Sequence, residues 1–273
     1  MARKLIRCAN SLLTLLEVLL IFAAVVYSVY SLWDNRQIYD QVENVTKDLR
    51  EIKSLAGDDA LSMFDQLRFI NPDVHAWITM DGTAIDYPVL QGSSNFSYIN
   101  TDVYGDFAML GSIFLDFRND PGFTDRYTLL MGHDMSGHRM FSDVNLYKDK
   151  DFFTQNTTGT LTLPDGEHTL LSLSCIVTSA GNSQIFNPQN WNHLTAKQIL
   201  QYVQQDALHV NRDTLRLLSQ MLAMGADARI VALSTCSSEY SDARTILLTL
   251  MDPVDVIDRI DHPGSLSSGE TFD

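Results

Sequence analysis

The chain has 273 residues, of which 45% are hydrophobic and 19% are charged, and this composition excludes a disordered chain. Its formal net charge is −15, and because the first 33 residues hold three basic residues against one acidic residue, the remainder carries −17. A polypeptide this acidic is repelled by nucleic acid, so DNA and RNA binding are excluded as well. The sequence contains no repeat with a period of about 20–50 residues, which excludes a solenoid or a propeller.

The N-terminal segment has the composition of a membrane anchor. Residues 11–33 are almost continuously apolar, with Glu17 as the one charge, and as a helix they are long enough to cross a bilayer. Basic residues precede this run and Tyr27, Tyr30 and Trp33 close it, so we expect a cytoplasmic N-terminus and an aromatic belt on the outer side. The alternatives are a cleaved signal peptide, which would have a shorter apolar region, and a buried core helix, which would lack the one-sided basic flank.

The following segment, residues 34–66, is predicted to be a helical stalk and a short N-terminal helix. Its apolar residues recur at spacings of three and four, as on one face of a helix, until Gly57 interrupts the pattern. Apolar residues at a spacing of three then resume: Leu61, Phe64 and Leu67. A solvated linker helix without a specific function is the simpler interpretation of the stalk. We therefore expect three parts, with a cytoplasmic tip and transmembrane anchor over 1–33, the stalk over 34–66 and an extracellular domain over 67–273.

The extracellular part consists of short apolar segments separated by turn residues, which is the pattern of a β domain. These segments are residues 76–80, 85–90, 111–116, 127–131, 159–163, 168–179, 229–236 and 245–251. So many short strands predict a closed barrel or a sandwich. Two helical segments precede the last two strands: one begins with a capping box formed by Thr195 and Gln198, and the other ends at Gly225. The predicted fold class is therefore mainly β with helical additions.

The three cysteines differ in their surroundings. Cys8 adjoins the N-terminal apolar run, whereas Cys175 lies among leucine, isoleucine and valine residues and is expected to be an inert core thiol. Cys236 ends an apolar strand beside a polar loop, where a thiol is exposed enough to react. The count alone permits a Cys175–Cys236 disulfide. No cysteine has a Cys or His neighbour at metal-ligand spacing, so we predict no metal and no cofactor.

Two further residues complete a candidate constellation for acyl transfer. His133 also follows an apolar strand, after Gly132, which we expect to give the backbone freedom to turn. Imidazole is the usual acid/base partner of a thiol. Arg244 opens the strand after the Cys236 loop, so a tight turn would return it to the neighbourhood of Cys236, where its guanidinium can stabilise an oxyanion. Taken singly, a structural histidine and a surface ion pair of Arg244 are the simpler interpretations. Together the three residues provide the nucleophile, the proton donor and the cation that attack on a peptide carbonyl requires.

These segments resemble the motifs of a known family. Residues 128–135 (TLLMGHDM), residues 232–239 (ALSTCSSE) and the following Asp-Ala-Arg up to Arg244 resemble the histidine, cysteine and arginine motifs of sortases. Residues 71–99 and 111–119 resemble the beginning of class B sortase domains. The resemblance extends from Leu67 to near His262, and it depends on the order and spacing of the motifs, because each motif alone is weak.

The resemblance implies a sortase-type closed β-barrel of about eight strands, with N-terminal helices and a helix in the long loop before the cysteine-bearing strand. It implies a cysteine transpeptidase that cleaves a C-terminal sorting signal of secreted proteins, forms a thioacyl-enzyme and transfers the acyl group to an amine of a Gram-positive cell wall. By motif position Cys236, His133 and Arg244 take the catalytic roles. The positions that line the signal groove in the family correspond to three residues here: Asn95, Ile99 and Ser234.

Three alternatives to wall anchoring remain open from the sequence. A pilin polymerase would use the same chemistry with a lysine of another pilin subunit as acceptor. A membrane-tethered binding module would hold a peptide in the groove without catalysis. A secreted cysteine protease would transfer the acyl group to water. In each case the expected partners are a peptide and, through the N-terminal helix, the membrane.

Overall fold

The computed structural model describes residues 2–57, 59–135, 137–236 and 242–253. The chain forms two compact units, Met1–Val45 and Thr46–Asp273. In the first unit, the 26-residue segment Ala9–Asp34 is helical, apolar and long enough to cross a membrane. The second unit contains the strands and all of the predicted chemistry.

Two helices precede the first strand. Helix α1 spans Ala2–Ala56, and Gly57 follows it with a positive φ of 58°, a conformation that glycine adopts without a steric penalty. Helix α2 spans Ala60–Ile70 and is capped by Asp59, whose carboxylate accepts a hydrogen bond from the Ser62 N–H. The buried side of α2 consists of Met63, Phe64 and Leu67. The predicted apolar spacing was wrong at Leu61, which is exposed, whereas Met63 is buried.

Eleven strands are present in the described part of the chain. They are β1 Val74–Met80, β2 Asp86–Leu90, β3 Ile113–Leu115, β4 Tyr127–Met131, β5 Asp134–Met135, β6 Arg139–Met140, β7 Thr158–Leu163, β8 Gly166–Ser179, β9 Ala207–Val210, β10 Arg229–Cys236 and β11 Ala243–Met251. Strands β5 and β6 form a small separate hairpin. The other nine belong to one sheet with the order β11-β10-β4-β3-β2-β1-β7-β8-β9.

This sheet closes into a barrel because β8 is long enough to pair on both sides. Its first half, Gly166–Leu171, pairs with β7, and Leu170–Ser179 pairs with β11. The resulting ring contains eight strands, and β9 is added to the outer part of β8 over Ser174–Ile176. The mainly β fold class and the closed sortase-type barrel are thereby confirmed.

A helical insertion covers one face of the barrel wall, as expected for the segment before β10. It contains α4 Ser183–Phe186, a 3-10 helix Pro188–Trp191, α5 Ala196–Tyr202 and α6 Arg212–Ala223, and the predicted capping box of α5 is present. The ring of Trp191 stacks on Tyr127 of β4 with centroids 4.3 Å apart, and the Tyr127 hydroxyl donates to the Ile185 carbonyl at 3.1 Å. Buried side chains of α5 and α6, including Ile199 and Leu218, continue this layer over β10 and β11. The insertion leaves the ends of these strands uncovered.

Two short helical elements remain to be placed. A 3-10 helix Ser142–Lys148 and helix α3 Lys150–Gln155 connect the β5–β6 hairpin to β7, in chain order before α4. The 3-10 helix contacts both β10 and β11. It therefore lies beside the two strands that carry the predicted cysteine and arginine.

The last turns of α1 bind the barrel through one carboxylate. Asp86 of β2 accepts hydrogen bonds from Lys53 Nζ at 2.7 Å and from Trp77 Nε1 at 2.7 Å, and Arg50 Nε lies 2.9 Å from its other oxygen. Thr79 also donates to this carboxylate. Burial alone would raise the pKa of Asp86, but the hydrogen bonds from Lys53 and Trp77 and the two nearby cations outweigh it and hold the pKa below its usual value.

Candidate active site

The register of three neighbouring strands brings the predicted catalytic positions together. Strands β4 and β10 are parallel, with Met131 beside Ser234, and the Gly132 N–H donates to the Ser234 carbonyl at 3.2 Å, which extends the pairing by one residue. His133 therefore follows at the level of Cys236. On the other side of β10, antiparallel β11 places Arg244 directly opposite Cys236. The backbone positions of the three residues thus lie side by side at one end of the barrel.

These positions share the face of the wall that the helical insertion covers farther along the strands. Residues alternate between the two faces of a strand, and in β10 Ile230, Ala232 and Ser234 belong to the covered face. Cys236 is the next position in this alternation. Where the covering layer ends, a cavity of about 160 Å³ opens. It is lined by Ile99, Phe114, Met131, Gly132, His133, Phe186, Ser234, Thr235 and Arg244.

The backbone of Cys236 is described as the last residue of β10, but its side chain lies outside the described part of the structure. Cys175 is fully buried in β8, as predicted for a core thiol. A disulfide between them is incompatible with the register, because β11 runs between β8 and β10. Two strand spacings separate the chains by roughly 9–10 Å, which is beyond the Cα separation of a disulfide.

The imidazole of His133 is held by the loop before β3. Its Nε2 lies 2.8 Å from the Ile99 carbonyl oxygen. Because a carbonyl oxygen can only accept, Nε2 carries the hydrogen in this contact, and in the neutral ring Nδ1 is then free of a proton and can exchange one. The His133 carbonyl in turn accepts from the Phe141 N–H at 3.1 Å. Both the ring and the backbone of the residue are therefore fixed.

Gly132 is required for a different reason from the one expected. The sequence suggested a glycine that gives the backbone freedom to turn, but its φ is not positive. A Cβ at this position would lie 2.4 Å from Ile113 Cδ1 and 2.9 Å from the Phe141 ring. The glycine therefore permits a close approach of packed side chains next to His133.

Arg244 is half-buried, lines the cavity and donates from its guanidinium to the Ala243 carbonyl at 2.9 Å. The residues that follow His133 and Arg244 are connected through the 3-10 helix. Thr245 donates to the Asn145 side-chain oxygen at 2.6 Å, and Asn145 hydrogen-bonds the Asp134 carboxylate. Burial raises the pKa of Asp134, although the charge of Lys148 and the Asn145 hydrogen bond act in the opposite direction. This bridge joins the histidine loop to the arginine strand.

The three residues predicted to line the groove lie in different places. Ile99 and Ser234 line the cavity. Asn95 does not belong to this lining. Its side-chain amide donates to Asp116 at 2.8 Å, and its oxygen accepts from the Phe117 N–H at 3.0 Å. Both ends of the amide are therefore engaged with the segment that follows β3.

Besides Gly132, four cavity residues were not identified as site residues from the sequence: Phe114, Met131, Phe186 and Thr235. The signal for Thr235 was present, since it directly precedes Cys236 in the quoted motif. Phe186 belongs to α4 in the insertion, and its carbonyl accepts from Arg118 at 2.6 Å. Its proximity to the cavity depends on how the insertion packs, which a linear pattern does not contain.

Comparison with known proteins agrees with this geometry, although no family model matches the chain. The chain is 26% identical over 233 residues to Sortase B of Staphylococcus aureus, which corresponds to 84% of this chain and 91% of the relative. It is 31% identical over 185 residues to Sortase B of Listeria monocytogenes, which corresponds to 66% of this chain and 70% of the relative.

A solved structure supports the same assignment. A Streptococcus pyogenes class B sortase involved in pilus biogenesis superposes with a TM-score of 0.60 at 34% identity, over 69% of this chain and 97% of that structure. The similarity therefore includes nearly the whole of a solved class B domain as well as most of two curated relatives. This chain belongs to the class B sortase family.

Proposed function

We propose that this protein is a membrane-anchored transpeptidase that cleaves a C-terminal sorting signal of secreted proteins at Cys236 and transfers the acyl group to an amine of the cell wall. The proposal rests on the register at the end of β10. There the backbone of Cys236 lies beside that of His133 on one side and that of Arg244 on the other. Nucleophile, acid/base and cation then face one substrate carbonyl.

The first half of the reaction uses these residues in turn. Nδ1 of His133 takes the thiol proton of Cys236, the resulting thiolate attacks the carbonyl carbon, and Arg244 stabilises the negative charge that develops on the oxygen. The C–N bond breaks as His133 gives its Nδ1 proton to the leaving amine, and a thioester remains on Cys236. The contact of Nε2 with the Ile99 carbonyl supports this role, because it orients the ring and reserves Nδ1 for proton transfer.

The second half reverses these roles. An incoming amine attacks the thioester, His133 takes its proton, and the thiolate leaves as the new amide forms. The cavity of about 160 Å³ beside His133 and Arg244 would receive a residue of an extended sorting-signal peptide next to the scissile bond. Ile99 and Ser234 would contact that residue, and Asn95 would act indirectly by holding the Asp116 segment.

We place residues 1–33 in the cytoplasm and membrane, the stalk over 34–66, and the catalytic domain over 67–273 outside the cell. The apolar helix Ala9–Asp34 supports the anchor, and the basic residues before it support the orientation. An amine acceptor on the cell wall would then be within reach of the tethered enzyme.

The decisive experiment uses the full chain in detergent micelles with amine acceptors and with peptides that contain a Thr–Gly or Thr–Asn bond, at which the resemblance to sortases implies cleavage. Mass spectrometry should find an acyl adduct on Cys236 and a ligated product. Cys236→Ala should abolish both, and Cys175→Ala is the matched control that should retain them. Arg244→Lys keeps a charge but loses the planar fork of donors, and kcat should fall by about a hundredfold. Ligated product from Cys236→Ala would overturn the assignment.

Pilin polymerisation is the second candidate. The similar Streptococcus pyogenes protein is a class B sortase involved in pilus biogenesis. The same assay separates the two functions when a lysine-bearing pilin domain and a peptidoglycan stem peptide compete for the acyl-enzyme. Preference for the pilin lysine supports the polymerase, and preference for the stem peptide supports wall anchoring.

A further inference from the structure

A second, larger depression lies away from the active site, between α3, β9 and the start of α6. Its volume is about 900 Å³, which is within the range of ligand-binding sites. We call it the β9 groove. It is lined by Lys150, Phe153, Thr154 and Thr157, by Leu171, by residues 208–214 and by Leu217. The floor is apolar: Phe153 is buried, and Leu171 and Leu217 are half-buried. Leu208 of β9 is 50% exposed at the rim.

The wall of the groove includes a free sheet edge. Strand β9 is the terminal strand of the sheet order and pairs with β8 on one side only in the described structure. His209 lies opposite Cys175, and the Asn211 N–H donates to the Leu173 carbonyl. In an antiparallel pair, hydrogen-bonded positions alternate with positions whose N–H and C=O turn away from the partner. Val210, between these two residues, therefore directs its backbone groups away from β8, and it lines the groove.

The charges at the groove are unbalanced. Lys150 and Arg212 are both exposed, and within the described residues neither side chain forms an ion pair or a hydrogen bond. The acidic residue of the lining, Asp213, is already paired with Arg216 at 3.1 Å. The exposed Asp149 and Asp151 adjoin Lys150 in sequence but do not line the groove. In a chain with 34 acidic and 19 basic residues, two cations that line one groove without an ion-paired partner favour an anionic ligand.

We propose that the β9 groove binds an extended, acidic polypeptide segment as an added strand along β9. Its backbone pairs with the free edge at Val210, its apolar side chains cover Phe153 and Leu217, and its carboxylates contact Lys150 and Arg212. An exposed edge provides main-chain hydrogen bonds for such a segment, and pockets for alternate side chains provide its selectivity. This site is separate from the proposed transpeptidase chemistry, and its occupancy is measurable without turnover.

The probe is a fluorescent nine-residue peptide of alternating valine and glutamate, titrated into the full chain in detergent micelles and followed by anisotropy. We expect saturable binding that Lys150→Glu with Arg212→Glu weakens about tenfold or more, because two attractive contacts become repulsive. Lys197→Glu, an exposed charge reversal on α5, is the matched control and should have no effect. A peptide with lysine in place of glutamate should not bind, and equal binding of both peptides would overturn the proposal.

The strand-addition geometry has its own test. Val210→Pro removes an N–H that β8 does not use, so the fold should tolerate it while binding is lost. Val210→Ala controls for the side chain and should change the affinity less than about twofold. Thermal melting verifies that each variant is folded. If Val210→Pro is not folded, the binding measured with the Lys150→Glu and Arg212→Glu charge reversals tests the proposal instead. Binding that survives in folded Val210→Pro, or that inorganic phosphate displaces as well as unlabelled peptide does, would contradict recognition of an extended backbone.

Discussion

Replacement of Asp86 by asparagine tests how the end of α1 is fixed to the barrel. The carboxylate receives Lys53, Arg50 and Trp77, and its side chain is 27% exposed. Hydrogen bonds to a charged group contribute about 1.5–3 kcal/mol each when buried. Arg50 is 41% exposed, so its contribution is reduced by solvent, and asparagine retains one acceptor oxygen. We therefore expect Asp86→Asn to lower the free energy of unfolding by about 2 kcal/mol, or the Tm by about 4–8 °C.

The pH dependence distinguishes this explanation from a packing defect. Because the folded-state pKa of Asp86 is depressed, its stabilisation is fully present above the unfolded value of about 3.9 and is lost as pH falls through the folded value. Tryptophan fluorescence of the full chain in detergent, with Trp77 as reporter, should show the full Tm difference at pH 7 and a progressively smaller difference as the pH falls below about 3.9. Asp213→Asn, which removes an exposed pair with Arg216, is the control and should change the Tm by less than about 2 °C. A Tm difference that persists unchanged at pH 2 would refute the electrostatic account.

Three further changes test the site and the core. Asn145→Leu breaks the bridge between Asp134 and Thr245. In the transpeptidation assay kcat should fall about tenfold with little change in KM. A fall in Tm without a kinetic change would mean that the bridge is structural only. Gly132→Ala forces a Cβ against the Phe141 ring, so calorimetry should show that the free energy of unfolding falls by about 1–3 kcal/mol, and the activity should also fall. Unchanged stability and activity would contradict the close packing. Cys175→Ala leaves a small cavity and should cost about 1 kcal/mol in urea unfolding, with acylation of Cys236 intact, and loss of acylation would show that the buried thiol takes part.

Much of the barrel was predictable because its central strands are continuous apolar runs. The bounds of β4 and β10 agree with the predicted segments 127–131 and 229–236. Strand β9 was missed, since Ala207–Val210 is only four residues long and is stabilised by pairing with a segment more than 30 residues earlier in the chain. The β5–β6 hairpin has two residues in each strand, too few for a periodicity to be detected.

The sequence selected candidate residues for the site, which remain a prediction, but it did not contain the geometry of the site. Motif order selected His133 and Arg244, and the register then placed their strands on either side of β10. The Ile99 contact that sets the histidine tautomer joins residues 34 positions apart, and no local pattern encodes it. Likewise, the engagement of Asn95 by Asp116 depends on how the loop before β3 folds back on the segment after it.

The position of β11 has a consequence for how the barrel is completed during synthesis. This strand is the last of the described strands, yet it lies between β8 and β10 and pairs with both along nearly its whole length. The backbone edges of β8 and β10 that pair with β11 therefore stay open until the segment up to Met251 has been synthesised. A chain that is interrupted earlier has two long, unsatisfied backbone ladders, which favour pairing with other chains over folding.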